Sequence, residues 1–155
     1  MRLREFISEE GITYSASVSS KKRALEILSE SLAEQHSSLI KSKVLDALLA
    51  REKLGSTGLG KGIAIPHCRM SELEEIHVAI LKLNEGVEFE ASDDLPVTFL
   101  FCMVVPEEAA EDYLLLLANL AELLDNEQVR KSIEKCDDAK CLYQLLCQNP
   151  KYLAA

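Results

Sequence analysis

The chain has 155 residues, 48% of them apolar, and a net charge of −9, so we expect one domain over residues 1–155 with its own core. The acidic balance argues against nucleic acid as a partner, because phosphate backbones select basic surfaces. No apolar run in the sequence approaches the roughly 20 residues of a membrane helix, and the first residues lack the core of a secretion signal. These features predict a cytoplasmic protein without direct membrane insertion.

The first third of the chain predicts a strand and a helix. Residues 11–18 alternate loosely, which is typical of a short edge strand. Ser19 or Ser20 is placed to cap a helix that runs to about Gln35, with leucines at helical spacing.

A second helix follows a polar joint that contains His36, which we expect to be solvated. Ser37 and Ser38 are predicted to cap this helix, and Leu54–Gly55 to end it. Arg51 then projects from its last turn toward the glycine-rich loop that follows, and a cation there also suits the negative end of a helix. The apolar spacing predicts a buried stripe made of Ile40, Val44, Leu45, Leu48 and Leu49.

Strands dominate the middle of the chain. Residues 76–83 predict a strand, with His77 as a structural or edge residue. The acidic stretch 84–95 is predicted to be a loop, in which 86–89 could add a brief strand. Residues 97–105 are apolar except for Thr98, which predicts a central strand that is covered on both faces.

Helices are predicted to follow this strand. Pro106 is expected to stop it and to open a helix, with Glu107 and Glu108 in the favourable first turn. The apolar spacing in this helix predicts core positions at Leu114, Leu117, Ala118, Ala121 and Leu124.

The C-terminal part is predicted to hold two more helices. Asp125–Asn126 breaks the long helix, and residues 127–135 form a short one. Asp137 or Asp138 then caps a last helix to about Cys147, and a frayed tail begins at 149–150. Strands interleaved with helices predict an α/β fold: a mixed, largely parallel central sheet flanked by helices on both faces.

The five cysteines are an odd number and include no C-x-x-C pair. This pattern argues against a disulfide framework and against a zinc site. We therefore expect reduced thiols, no metal and no cofactor.

A glycine-rich segment, residues 51–69, holds four of the six glycines. Such density indicates a backbone that bends sharply or approaches another group closely. Pro66 fixes its own φ and biases the preceding residue toward an extended conformation. We therefore expect His67 to be presented at the end of a short strand rather than buried.

The same segment carries a net charge of +3, whereas the rest of the chain carries −12. Cations gathered around one histidine suit an anion that arrives from solution, such as a phosphoryl group. Cationic side chains that merely lie at a loop are the alternative, and the charge pattern leaves both open.

Residues 55–61 also match the opening of a phosphate-binding P-loop. However, Gly62 stands where a Ser or Thr should hold Mg²⁺, and the segment follows a helix instead of linking a strand to a helix. A nucleoside triphosphatase is therefore not expected.

His67 has three possible chemical uses: metal ligand, general base or nucleophile. Metal binding requires companion ligands, and the adjacent Cys68 points to the opposite side of an extended chain. The same geometry argues against Cys68 as the nucleophile of a hydrolase. Attack by a neutral imidazole on a phosphoryl group needs only cations and room for a partner, and here Arg51 supplies a guanidinium, while Ser56 and Thr57 are candidate donors.

The run from Arg51-Glu52 through Gly55-Ser-Thr-Gly58 to Gly62-Ile-Ala-Ile-Pro-His67 closely resembles the active-site segment of a known family. These are the enzyme IIA domains of the fructose/mannitol class of the bacterial phosphoenolpyruvate-dependent phosphotransferase system. The likeness extends from about Ser19 to Cys147. The opening at 20–26 and the single-domain layout are most similar to the nitrogen-regulatory members.

This resemblance implies that His67 takes a phosphoryl group on Nε2 from an HPr-like phosphocarrier, with Arg51 as the phosphate-binding arginine. It also implies regulatory target proteins as partners. In the sugar-transporting relatives a second histidine faces the first, and the matching position here is Tyr113, whose phenol donates a hydrogen bond but lacks imidazole acid–base chemistry. A fructose- or mannitol-type transport component and a non-transferring binding module therefore remain alternatives.

Overall fold

The computed structural model describes residues 3–108 and 110–148. Short 3₁₀ turns at Leu3–Glu5 and Glu9–Gly11 precede the first strand, and a π-helical turn at Gln144–Gln148 follows the last helix. The strands are β1 (Ile12–Ser15), β2 (Gly58–Gly60), β3 (Ile63–Ala64), β4 (His67–Met70), β5 (His77–Val87) and β6 (Val97–Pro106). The helices are α1 (Lys21–Gln35), α2 (Lys41–Lys53), α3 (Ala110–Asp125), α4 (Glu127–Lys135) and α5 (Ala139–Tyr143).

The strands form one mixed sheet in the order β1-β5-β6-β3-β2, and β4 also pairs with β6. Three of the five strand pairings are parallel, and β5–β6 and β2–β3 are antiparallel. The predicted α/β fold with a mixed, largely parallel sheet is confirmed. The predicted edge strand is also confirmed, because β1 pairs only with β5 among the described strands.

Strand β6 lies at the centre of the sheet and is covered on both faces, as its sequence predicts. Phe99, Phe101 and Met103 pack into one apolar cluster with residues of α3, α4 and α5. Leu100 and Val104 pack into a second cluster with residues of α1 and α2. Each such buried side chain contributes about 1.5–3 kcal/mol, so the two layers of helices hold β6 firmly in place.

Strands β3 and β4 pair one after the other with the same strand, β6, and the segment that contains Pro66 separates them. Ile63 pairs with Phe99 and His67 with Met103, so the register along β6 is unchanged across the gap. Proline has no N–H to donate to a ladder, but its carbonyl accepts a hydrogen bond from the backbone N–H of Met103 at 2.9 Å. His67 is therefore fixed at the start of β4, not at the end of a strand as predicted.

Helix starts were predicted well where a side chain caps the helix. Ser20, Asn126 and Asp138 accept hydrogen bonds from the backbone of α1, α4 and α5 respectively. The prediction for α2 is wrong, because Ile40, and not Ser37 or Ser38, is its N-cap and makes no side-chain cap. Ile40 is 52% exposed and lies outside the buried stripe.

The start and the buried face of α3 also differ from the prediction. Pro106 is the last residue of β6, where it pairs with Met70, so it does not open the helix. The four consecutive leucines at 114–117 make the helical period ambiguous, and Leu114 is exposed. The buried face carries Tyr113, Leu116, Leu120 and Leu124, so Leu124 alone of the predicted positions is fully buried, and Leu117 packs partly buried against the same cluster.

Strand β5 is longer than predicted. It continues to Val87, which pairs with Val97 after an irregularity that begins beyond Lys82. Residues 86–89 therefore do not make a separate strand, because Val97 at the start of β6 provides a partner for the continuing chain.

The cysteines do not all remain thiols. Cys136 ends α4 and Cys141 lies in α5, and a disulfide joins them across a Cα–Cα distance of 5.5 Å. The tight connection at 137–138 brings the two helix ends together, a tertiary proximity that a search for C-x-x-C pairs misses. Cys68, Cys102 and Cys147 are buried and free. The frayed tail predicted from 149–150 lies outside the described residues, and among the described helices none is long and apolar enough to cross a membrane.

Candidate functional site

The imidazole of His67 is oriented by the backbone just before it. Its Nδ1 lies 2.7 Å from the carbonyl oxygen of Ile65. A carbonyl only accepts hydrogen bonds, so Nδ1 carries the proton and the neutral ring keeps its lone pair on Nε2. The ring is only 8% exposed, which corrects the expectation of a presented side chain, but it still lines two open cavities.

Arg51 and His67 line both of these cavities together. The first, of about 410 Å³, also contacts the glycine-rich loop and the middle of α3. The second, of about 500 Å³, contacts Leu54, Arg69 and Tyr113. The guanidinium and the imidazole therefore lie at the junction between two openings, which is where an incoming anionic group would meet both.

Arg51 is held at the end of α2 by the loop that follows. Its Nη1 donates a hydrogen bond to the carbonyl of Gly55 at 2.8 Å. The predicted direction of Arg51, toward the glycine-rich loop, is therefore confirmed. A guanidinium has five donors in a planar fork, so one edge can bind the loop while the others remain for a ligand.

Ser56 and Thr57 line the first cavity, but their hydroxyl protons are donated within the protein. The Ser56 hydroxyl donates to the carbonyl of Phe89 at 2.6 Å, and the Thr57 hydroxyl donates to the carboxylate of Glu52. This geometry differs from the expectation that both hydroxyls donate to a phosphoryl group. The acceptor of Ser56, Phe89, is 33 residues away in sequence and reaches the loop only in the folded chain, whereas the acceptor of Thr57, Glu52, lies five residues before it.

The turn at Gly60–Gly62 shapes the far side of the loop. Gly60, Lys61 and Gly62 all have positive φ, at 89°, 59° and 82°, a region that glycine adopts at low cost. The side chain of Lys61 is engaged by another element, because its Nζ pairs with Asp125 at 2.9 Å, and its backbone N–H donates to Asp93 at 2.7 Å. Of the cations in the segment, Arg51 and Arg69 are the two that line a cavity with His67.

Tyr113 faces His67 from α3. The two ring centroids are 5.6 Å apart, and the guanidinium of Arg69 lies 5.2 Å from the centre of the tyrosine ring. Tyr113 therefore lies beside His67, and its match to the second histidine of the sugar-transporting relatives stays a prediction. The tyrosine is buried, so it also supports the ring of His67 by packing.

The electrostatic surroundings keep His67 neutral. Burial lowers the pKa of its imidazole, and the positive charges of Arg51 and Arg69 lower it further, while the hydrogen bond to Ile65 and the charge of Glu52 oppose this shift. A depressed pKa increases the share of neutral, nucleophilic rings near pH 7.

Cys68 points to the opposite face of the sheet, as its place next to His67 predicts. It packs in the cluster under α1 and α2, and burial raises the pKa of its thiol to about 12. An inert thiol of this kind is a packing residue. Among the described residues, no group of three or more His, Cys, Asp or Glu side chains is placed to hold a metal ion.

The contacts of Glu52 were not predicted from the sequence. Its carboxylate is buried, accepts two hydrogen bonds from Thr57 and pairs with Lys21 at 3.0 Å. A signal was present, because a carboxylate in the last turn of a helix opposes the helix dipole and needs a compensating partner.

The comparison with known families settles the relationship of this chain. A sequence model described as phosphoenolpyruvate-dependent sugar phosphotransferase system, EIIA 2, matches residues 5–149. The chain belongs to this family. A nitrogen regulatory protein from Pseudomonas aeruginosa is 43% identical over 127 residues, which cover 82% of each chain.

This EIIA protein is similar to both regulatory and sugar-specific members of the family. The crystal structure of nitrogen regulatory protein IIA-Ntr from Neisseria meningitidis is 36% identical and superposes with a TM-score of 0.87, covering 92% of this chain and 97% of the other. A fructose-specific EIIA component from Haloferax volcanii is 33% identical over 83% of each chain. The chain is therefore a phosphotransferase-system EIIA protein similar to both regulatory and fructose-specific members.

The EIIA protein contains a second histidine pair, His36 and His77. The ring centroids are 3.8 Å apart, at the end of α1 and the start of β5. His36 is partly buried, which corrects the expectation of a solvated side chain. Burial lowers the pKa of both rings, the charge of His36 further lowers that of His77, and Glu75 opposes both shifts.

We expect this pair to make the protein less stable in mild acid. Between the lowered folded pKa and the unfolded value of about 6.5, the unfolded chain binds more protons, so the free energy of unfolding falls as the pH is lowered. Urea denaturation at about pH 7.5 and about pH 5 measures the difference. The difference in the free energy of unfolding between the two pH values should be smaller in the double variant His36→Gln/His77→Gln. An unchanged difference would show that the histidine pair does not cause it.

Proposed function

We propose that this protein is a phosphohistidine carrier. It accepts a phosphoryl group from an HPr-like phosphocarrier on Nε2 of His67, and its two phosphorylation states act on regulatory target proteins in nitrogen and general metabolism. The observation that carries this proposal is the hydrogen bond from Nδ1 to Ile65, which leaves Nε2 as the nucleophile at the cavity junction. We further propose that residues 1–155 act as one domain.

The transfer needs no cofactor in this proposal. The lone pair of Nε2 attacks phosphorus, the P–N bond of the donor phosphohistidine breaks, and its electron pair returns to the donor imidazole. Arg51 stabilises the negative oxygens of the transferring group, and Arg69, which lines the second cavity, adds positive charge. The hydrogen bond to Ile65 holds the ring in one orientation throughout.

Phosphorylation would change the electrostatics of the surface that a partner meets. A phosphoryl group adds roughly −1.5 to −2 charges at a junction that otherwise presents Arg51 and Arg69. Partners that bind the unmodified basic site would therefore be disfavoured by phosphorylation. The name of the Pseudomonas relative, nitrogen regulatory protein, supports regulation as the outcome.

Intact-mass measurement tests the proposal directly. Incubation with phosphoenolpyruvate, enzyme I and an HPr-like carrier should add the mass of one phosphoryl group, which acid removes and base retains. Omission of the carrier should prevent the gain. A gain that survives acid would place the group on a hydroxyl and contradict the proposal.

A sugar-transport role is the second candidate, because the fructose-specific relative is 33% identical. Tyr113 distinguishes the two functions. Its phenol cannot supply imidazole acid–base chemistry near neutral pH, so we expect little onward transfer to a fructose- or mannitol-type IIB domain.

The variant Tyr113→His should raise onward transfer by about 10²-fold, at the low end of what a positioned acid–base group contributes. The measurement is the loss of label from His67 after addition of a IIB domain, with Tyr113→Phe as the control that retains the ring. Rapid transfer by the unmodified protein would favour the sugar-transport function.

A further inference from the structure

A buried carboxylate lies behind the candidate site without lining either cavity that His67 shares. The side chain of Glu52 is only 5% exposed and forms an ion pair with Lys21 at 3.0 Å. It also accepts hydrogen bonds from the backbone N–H of Thr57 at 3.1 Å and from the hydroxyl of Thr57. A buried carboxylate is costly unless such donors compensate it, so these contacts fix its position closely.

Thr57 connects Glu52 to the imidazole of His67 through two further hydrogen bonds. Its carbonyl accepts a hydrogen bond from the backbone N–H of Ile65 at 3.0 Å. The carbonyl of Ile65 in turn accepts the proton on Nδ1 of His67 at 2.7 Å. A continuous series of hydrogen bonds therefore runs from Glu52 through two backbone segments to the imidazole.

Lys21 connects the same series to another helix. It is the first residue of α1, and its Nζ lies 4.5 Å from the ring centre of Phe89 as well as next to Glu52. The carbonyl of Phe89 accepts the hydroxyl of Ser56. The loop before His67 is thus held by the end of α2, the start of α1 and the segment after β5.

We propose that Glu52 is a positioning residue for phosphoryl transfer at His67. It acts through Thr57 and Ile65 to keep the imidazole proton on Nδ1 and the lone pair on Nε2. This inference rests on the proposed function for its effect on transfer, but its effect on the tautomer can be measured in the unphosphorylated protein.

Three substitutions separate the links of the series. Glu52→Gln keeps the shape of the side chain but removes its charge. Thr57→Val removes the hydroxyl and keeps the backbone N–H, while Thr57→Ser restores the hydroxyl. Glu30→Gln is the matched control, because Glu30 is a half-exposed carboxylate that pairs with Lys41 at 3.8 Å.

The first measurement is the tautomer of His67, determined by nitrogen NMR at about pH 8, where the ring is neutral. The second is the single-turnover rate of phosphoryl uptake from the phosphorylated carrier. Glu52→Gln and Thr57→Val should raise the fraction of rings with the proton on Nε2. They should also lower the saturated rate about tenfold, the order expected for a lost hydrogen bond to a charged group, with the KM for the carrier within about threefold.

Thr57→Ser and Glu30→Gln should behave like the unmodified protein in both measurements. An unchanged tautomer or an unchanged saturated rate in folded Glu52→Gln and Thr57→Val would overturn the inference, as would a Thr57→Ser variant as impaired as Thr57→Val. If Glu52→Gln and Thr57→Val do not fold, the variant Lys21→Met tests the inference instead. It removes the charged partner of Glu52, and Lys21 is partly exposed, so the substitution disturbs the core less. It must shift both measurements in the same direction, and no shift would overturn the inference. Failure of the unmodified protein to take up phosphate would refute the proposed function and leave the tautomer measurement as an independent test.

Discussion

Replacement of His67 by alanine should abolish phosphoryl uptake completely. The nucleophilic nitrogen is lost, and no neighbouring group can replace it: the thiol of Cys68 points to the other face of the sheet with its pKa raised to about 12, and the hydroxyl of Thr57 donates to Glu52. Intact-mass measurement after incubation with the full relay should show no gain, where the unmodified protein gains one phosphoryl group per chain.

The substitution also removes the donor to a buried carbonyl, that of Ile65, at an expected stability cost of about 1–3 kcal/mol. Thermal denaturation must therefore accompany the mass measurement, and His67→Gln provides a second variant of closer size. His36→Gln and His77→Gln are the matched controls, since both rings lie in the separate pair. Normal uptake by a folded His67 variant would assign the phosphoryl group to another residue.

The parts of the fold that the sequence predicted correctly depend on short-range rules. An apolar run bounded by prolines is enough to identify β6. Serine and aspartate caps identify the starts of α1 and α5, and the break at Asp125–Asn126 identifies the start of α4. The orientation of Arg51 also follows locally, because the carbonyl it binds, that of Gly55, lies only four residues after it in the chain.

The errors arise where distant residues decide the outcome. Pro106 reads as a helix start, but pairing with Met70 extends β6 to include it. The four leucines after Tyr113 give no unique helical face, and the sheet selects the one that buries Leu116 and Leu120. The disulfide between α4 and α5 likewise depends on a turn between helices.

In the candidate site, too, some features follow from the local sequence and others depend on distant residues. The sequence motif placed His67 and Arg51 together, and the structure brings them to one junction. The sequence also supplied Thr57 as a donor, but the direction of its hydroxyl depends on Glu52, whose own position depends on Lys21 from another helix. Residue types therefore predicted that His67 and Arg51 lie together, whereas the supporting contacts required the folded chain.

Replacement of Arg51 by glutamine should slow phosphoryl uptake on the order of 10²–10³-fold, the effect of removing one preorganised donor to a developing negative charge. Two causes act in the same direction. The transferring oxygens lose their positive partner, and the pKa of His67 rises because the charge of Arg51 no longer lowers it. At neutral pH a smaller fraction of the rings is then nucleophilic.

The second cause gives the variant a distinctive pH dependence. A higher pH deprotonates the imidazole of His67 even when its pKa is raised. The rate of phosphoryl uptake by Arg51→Gln should therefore increase between about pH 6.5 and pH 8 by a larger factor than the rate of the unmodified protein. Arg51→Lys should be intermediate, since an ammonium keeps the charge but lacks the fork that binds Gly55 and a phosphoryl group together. Lys53→Gln, an exposed cation in the same helical turn, is the control. The measurement is the single-turnover rate of phosphoryl uptake at each pH. If folded Arg51→Gln takes up the phosphoryl group at a rate within twofold of the unmodified protein at neutral pH, Arg51 does not contribute to the transfer.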